Sequence, residues 1–207
     1  EVAELVLPSP FAFAEQALLY LPRDLPDPRQ PEFSLQAAAR IAQLVDITAG
    51  RALLLFTAHR ALQAARALLT TQLDYPLLCQ GEAPRGQLLA RFRDEVSSVL
   101  LATASFWEGI DVVGESLSLV VIDKLPFAVP SEPLIAARLE ALRQAGESPF
   151  SAYQLPLAAL ALKQGFGRLI RHRGDRGIVA ILDRRLSERP LGSDLKSGLS
   201  AAEAEGR

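Results

Sequence analysis

"SVLLATASFWEGID", residues 98–111, carries two different signals in one stretch. Its first six residues, 98–103, are a continuous apolar run of strand length. A strand with one wet face alternates polar and apolar side chains, whereas a run without alternation marks a strand buried on both faces. "RALLLF" (51–56), "LSLVVID" (117–123) and "GIVAILD" (177–183) repeat that signature, and "ALLYL" (17–21) and "PLLC" (76–79) are further strand candidates. Helical stretches separate them. Ser34 predicts the N-cap of a helix ending near Gly50, and Ala and Leu at helical spacing predict another from about His59 to Leu73. "RGQLLARFRD" (85–94) reads as a short amphipathic helix. Ser131 caps one that runs to Ala145, with Gly146 just past its end, and residues 154–172 form the last. Strands alternating with helices predict an α/β fold, an open and mainly parallel sheet with helices on both faces. In such sheets ligands sit beyond the carboxyl ends of the strands. That singles out the loops after Phe56, Thr103 and Ile122 and the approach to Gln164.

The 207 residues are 49% hydrophobic and 22% charged, which suits one globular domain with a real core. No apolar run approaches the roughly 20 residues of a membrane span, so no membrane partner is expected. No secretion signal opens the chain, which points to the cytoplasm. The chain begins at Glu1 and holds no Met, which predicts a piece of a longer protein. Its one cysteine, Cys79 in "YPLLCQG" (75–81), leaves no partner for a disulfide and reads as a buried small residue. His59 and His172 lack metal spacing to each other or to Cys79, so no metal site is expected in this chain. A net charge of −2 argues against a protein that coats DNA by charge alone, but not against nucleic acid held in a local groove. The charge is uneven, with eight basic side chains against three acidic ones between Lys163 and Arg189.

The second half of the opening stretch, "ASFWEGID" (104–111), lies directly beyond a buried strand. It places Ser105, Trp107, Glu108 and Asp111 around Gly109. Glycine lets backbone amides approach a ligand closely, and a carboxylate can accept a ribose hydroxyl. The alternative is an ordinary turn whose Trp plugs the core. Thr57 follows one strand and precedes a helix, where free amides bind phosphate; the alternative is helix capping alone. "LKQGFGRLIRHRGDRG" (162–177) puts Gln164, Arg168 and Arg171 at i, i+4 and i+7, within about 60° on one helical face. Two guanidiniums side by side repel unless an anion lies between them, and the planar fork of arginine suits phosphate. A solvated polar face is the alternative, but it gains nothing from Gly165 and Gly167. Each of those weakens a helix interior by about 1 kcal/mol relative to alanine. They suit a helix pressed against another backbone.

No G-x-x-x-x-G-K-[ST] phosphate loop occurs in the chain. No Asp-Glu pair follows a buried strand to hold magnesium, and no G-x-S-x-G elbow is present. Arginines able to meet a phosphate, without a phosphate loop, imply a partner domain that supplies the rest.

These residues resemble a known family. "QGFGRLIR" (164–171) is similar to motif VI, Q-x-x-G-R-x-x-R, of superfamily-two helicases. "SFWEGID" (105–111) resembles motif V in the form used by the XPD/DinG branch. "VVIDKLPF" (120–127) follows at that branch's spacing, and "ALLLFTAH" (52–59) resembles its motif IV region. "SPFAFAEQALLYLPRDLPDP" (9–28) is similar to the segment leading into the second motor domain of bacterial DinG-type helicases, YoaA-like members included. The set ends in "DRGIVAILDRRL" (175–186), and the resemblance covers about residues 5–190.

The resemblance implies the second RecA-like motor domain of a DNA helicase that moves 5′ to 3′ and acts in repair or replication. Two such domains clamp ATP and Mg2+ between them, and the first carries the phosphate loop and the magnesium-binding acids. By this resemblance Arg171 contacts the γ-phosphate as the finger, Arg168 supports it and Gln164 helps sense the nucleotide. Asp111 reaches the ribose or motif VI, while Glu108 and Gly109 link the nucleotide to the grip on DNA. Thr57 and Ser105 touch the backbone of single-stranded DNA, and Lys124 and Phe127 line the neighbouring loop. The iron–sulfur cluster typical of the branch belongs to the other motor domain, and no part of one is expected in this chain. A fused nuclease domain, present in some relatives, would lie upstream.

The expected organisation is an arm over residues 1–33 entering from the preceding domain, a RecA-like helicase C-terminal domain over 34–190, and a polar, frayed tail over 191–207. The expected partners are the first motor domain, single-stranded DNA and a replication or repair protein, in the bacterial cytoplasm at the nucleoid. The competing reading is a RecA-like module that binds a protein or nucleic acid without ATP chemistry.

Overall fold

Each apolar run becomes a strand. The computed structural model describes residues 13–103, 106, 117–127, 132–170, 172 and 174–188, the side chains of 13, 14, 163–168, 187 and 188 excepted. A short helix α1 (Phe13–Gln16) leads into β1 (Ala17–Tyr20). Then follow α2 (Phe33–Ile47), β2 (Ala52–Phe56), α3 (His59–Leu69), β3 (Leu77–Cys79), α4 (Arg85–Asp94) and β4 (Val99–Thr103). β5 (Leu119–Ile122), α5 (Pro133–Gln144), a π-helical turn (Phe150–Gln154), α6 (Leu155–Leu169), β6 (Gly177–Ile181) and α7 (Arg185–Glu188) complete the described chain. The strands lie in the order β1-β6-β5-β2-β4-β3, and every pairing is parallel. This is a RecA-like α/β fold with a mainly parallel sheet between two layers of helix.

Alternate side chains divide the core into two layers. Leu53 and Leu55 of β2 join Leu88 and Phe92 of α4 and Leu155 and Leu162 of α6 on one face. Ala52, Leu54 and Phe56 join Ile41 and Val45 of α2 and Leu62 and Leu69 of α3 on the other. Every residue of β2, β4 and β5 is buried, as uninterrupted apolar runs require when helices cover both faces.

Several helix ends differ from expectation. α2 starts at Phe33, one residue before Ser34, with Glu32 at the N-cap and no side-chain cap. Burial of the Phe33 ring at 3% exposure fixes that first turn in place of a hydroxyl. α3 stops at Leu69, short of Leu73, and the hydroxyls that follow donate to its last carbonyls, Thr70 Oγ1 to Arg66 O (2.8 Å) and Thr71 Oγ1 to Leu68 O (2.9 Å). α6 stops at Leu169 rather than near residue 172, as Ile170 takes extended dihedrals and buries beside Leu169. Gly50 closes the α2–β2 turn at φ +78°, and a Cβ there would lie 1.9 Å from Ser97 O, so only glycine fits.

Part of the stretch expected to be an arm lies in the fold. β1 pairs with β6 from Ala17 against Gly177 to Tyr20 against Ala180, and Leu25 is buried. The 191–207 tail and residues 1–12 lie outside the described residues.

Candidate functional site

The strand order decides which loops meet. β2 lies between β4 and β5, with Phe56 opposite Thr103 and Leu55 opposite Ile122. The turns after β2, β4 and β5 therefore leave the same carboxyl edge side by side. From β2 the chain goes on to β3 and β4 on one side, and from β5 to β6 on the other. The crevice between β2 and β5 is thus the topological switch point, where open α/β sheets bind ligands.

A buried carboxylate spans that crevice. Asp123, 4% exposed, accepts the Thr57 N–H (3.0 Å) and the Lys124 N–H (2.7 Å) on one oxygen. Burial pushes its carboxyl up to about 7, against the opposing pull of those N–H groups and the Lys124 charge, and nearby Asp183 adds to the rise. Asp183, 1% exposed, accepts the Leu125 N–H (3.0 Å) and pairs with Arg185 through Nε (2.8 Å) and Nη2 (2.5 Å). The Arg185 guanidinium lies 5.8 Å from the Phe127 ring centroid.

Of the expected nucleic-acid contacts, Thr57 and Lys124 are brought together. Thr57 is exposed and does not cap α3, because Ala58, in an extended conformation, occupies the N-cap. The Lys124 ammonium lies 5.2 Å from the Phe33 ring centroid. The loop that begins with residue 104 is anchored where it is described. Gln80 Oε1 accepts both the N–H (2.7 Å) and the hydroxyl (3.0 Å) of Thr103, and Arg85 reaches Phe106 O (3.3 Å) with its guanidinium over the Phe106 ring. Ser105, Glu108, Gly109, Asp111 and Arg171 lie outside the described residues. Gln164 and Arg168 fall one turn apart on α6, and their side chains are likewise outside.

The basic helix is not grouped with those loops throughout its length. A Cβ on Gly177, the first residue of β6, would touch Leu169 Cδ1 at 2.6 Å, so α6 ends at the amino edge of the sheet. Gln16 grips the segment that follows. Its Nε2 donates to His172 O and Asp175 O, both at 3.0 Å, and Asp175 Oδ2 accepts the His172 N–H (2.7 Å). The helical face read from sequence thus ends two residues before Arg171.

Sequence reasoning missed Asp123, Asp183, Gln80 and Gln16. "VVID" (120–123) and "AILD" (180–183) carried a signal for the first two, since each is a buried run that stops on an Asp. Gln80 and Gln16 act through long-range bonds that leave no local mark. Among the described residues no cluster of three or more His, Cys, Asp or Glu is placed to hold a metal, and no helix is long and apolar enough to cross a membrane.

The family described as "Helicase C-terminal domain" matches residues 41–202. The chain belongs to the helicase C-terminal domain family. Within it, the chain is the second RecA-like domain of the XPD/DinG type, YoaA- and DinG-like. It is 44% identical over 202 residues to a protein of Escherichia coli K12 described as ATP-dependent DNA helicase YoaA, covering 98% of this chain and 32% of the relative. It is 40% identical over 192 residues to ATP-dependent helicase DinG of Mycobacterium tuberculosis H37Rv, covering 92% of this chain and 29% of the relative. The chain therefore spans about a third of the length of these curated relatives. The helicase C-terminal fold is also that of S. tokodaii Xpd4, with a TM-score of 0.65 at 15% identity over 84% of this chain and 35% of that one.

Proposed function

We propose that this domain is the second motor half of an ATP-dependent DNA helicase, working on single-stranded DNA in the 5′ to 3′ direction and inactive alone. One observation carries this reading: Thr57, Lys124 and the start of the 104–111 loop leave adjacent parallel strands at one switch-point edge, in the order of the family's motifs. Thr57, Ser105 and Lys124 grip the DNA backbone with two hydroxyls and one cation. Gln164, Arg168 and Arg171 face the triphosphate, with Arg171 as the finger; Asp111 reaches the ribose or motif VI, and Glu108 and Gly109 connect the nucleotide to the grip on DNA.

The donor set fits that division. Arginine offers only N–H donors, which match phosphate oxygens and cannot ligate a cation. By the family resemblance, Mg2+ and the phosphate loop fall to the first motor domain, as does any iron–sulfur cluster. When bound, ATP supplies the free energy that drives closure of the two domains. This chain's residues bind and orient its outer phosphate.

The test is single-stranded-DNA-stimulated ATP hydrolysis by the full-length parent protein, wild type beside Arg171→Ala, with DNA affinity measured in parallel. The expected outcome is a loss of turnover of about 10³–10⁵ with DNA binding retained. Normal turnover in Arg171→Ala would remove the finger assignment. No stimulated turnover in the wild type would favour the non-catalytic RecA-like module.

A further inference from the structure

Burying a carboxylate among apolar groups is costly unless its hydrogen bonds repay it. Asp123 lines a small cavity between α2 and α3 with Phe33, Ala37, Ala61 and Ala65 as walls. An apolar side chain at that strand end would avoid the cost and would leave two backbone N–H groups, those of Thr57 and Lys124, without an acceptor. Asp183 repeats the arrangement one strand over, holding Leu125 and Arg185. The two carboxylates thus chain together the turns after β2, β5 and β6.

We propose that Asp123 is a positioning residue for the nucleic-acid contact, a latch across the β2–β5 crevice that makes the Thr57 and Lys124 turns meet the phosphate backbone as one unit. This assignment rests on the proposed motor function. The ionised carboxylate makes the stronger, charge-assisted bonds, so the latch is tight when Asp123 is charged and looser when it is protonated. Its surroundings set where that change falls. Lys124 lies on its own turn, Asp183 faces it from the end of β6 with Arg185 paired to Asp183, and the cavity walls from α2 and α3 are uncharged. His59, exposed, stands at the start of α3, two residues beyond Thr57.

The test uses the full-length parent and a fluorescein-labelled oligo-dT, with affinity measured by anisotropy from pH 6 to 8.5 and melting temperature recorded for each variant. At pH 8, Asp123→Ala weakens binding about tenfold, a loss of one charge-assisted bond's worth. Asp123→Asn, which keeps an acceptor oxygen, weakens it less and lacks the component of wild-type affinity that falls between pH 8 and 6.5. If Asp123→Ala does not fold, the pH profile of Asp123→Asn decides alone. A folded Asp123→Ala with wild-type affinity, or superimposable pH profiles for wild type and Asp123→Asn, overturns the latch while leaving the motor reading intact. A wild type that binds no oligo-dT overturns the motor reading, and the latch with it.

Discussion

Ser98 sits at the mouth of β4 with its hydroxyl buried and, among the described residues, unbonded. A buried hydroxyl without a partner costs about 1–3 kcal/mol, so Ser98→Ala should be neutral or stabilise the chain by about 1 kcal/mol, read as a rise in urea midpoint. Asp123 makes the opposite kind of prediction. Its folded-state carboxyl is raised to about 7, so it binds a proton more tightly folded than unfolded. The stability it contributes is fully present below the unfolded value near 4 and is lost as pH rises through about 7. That difference corresponds to ~4 kcal/mol at most. Urea midpoints measured from pH 4.5 to 8 should fall with rising pH in the wild type and flatten in Asp123→Asn. Asp24 and Asp27, held low by Arg40 and Arg29, act only below that window and with the reverse sign.

At the scale of elements, α6 and β6 meet closely at Gly177. A Cβ at Gly177 would lie 2.6 Å from both Leu169 Cδ1 and Ser118 O. The first neighbour can rotate away, but the second is backbone of the chain entering β5. Gly177→Ala should therefore cost about 1–3 kcal/mol by denaturant titration. In the parent protein it should also lower ATP turnover more than DNA affinity, because it shifts the end of α6 and not the Thr57 and Lys124 turns. Edge strand β1 reinforces the same join from outside: it pairs along β6, and Gln16 just before it holds His172 and Asp175. A segment read from its prolines and position as an arm is in this way part of what shapes the segment after α6.

At the scale of the whole molecule, the sheet separates the two groups of residues to which the proposed function gives different tasks. The Thr57 and Lys124 turns lie at its carboxyl edge, while the end of α6 lies at its amino edge. Five strand residues at about 3.3 Å each put those edges about 17 Å apart. In the proposed motor reading, nucleotide and nucleic acid are met at different edges and a second domain completes each site. The isolated 207-residue chain should accordingly show no ATP hydrolysis above background with or without DNA, and measurable turnover by the pure chain would overturn the two-domain scheme. The sequence by itself determined the layers. Runs such as "ALLLF" and "LVVI", apolar without alternation, can be buried only in a sheet covered on both faces, so the α/β class and nearly every element were legible from local pattern. The same local reading named Thr57, and the family resemblance added Lys124. Only the tertiary structure decided which strands are neighbours, and so which turns meet. Strand order depends on long-range pairing that no local pattern encodes, and through it Asp123 reaches Thr57, 66 residues away, Gln80 reaches Thr103, and Gln16 reaches Asp175.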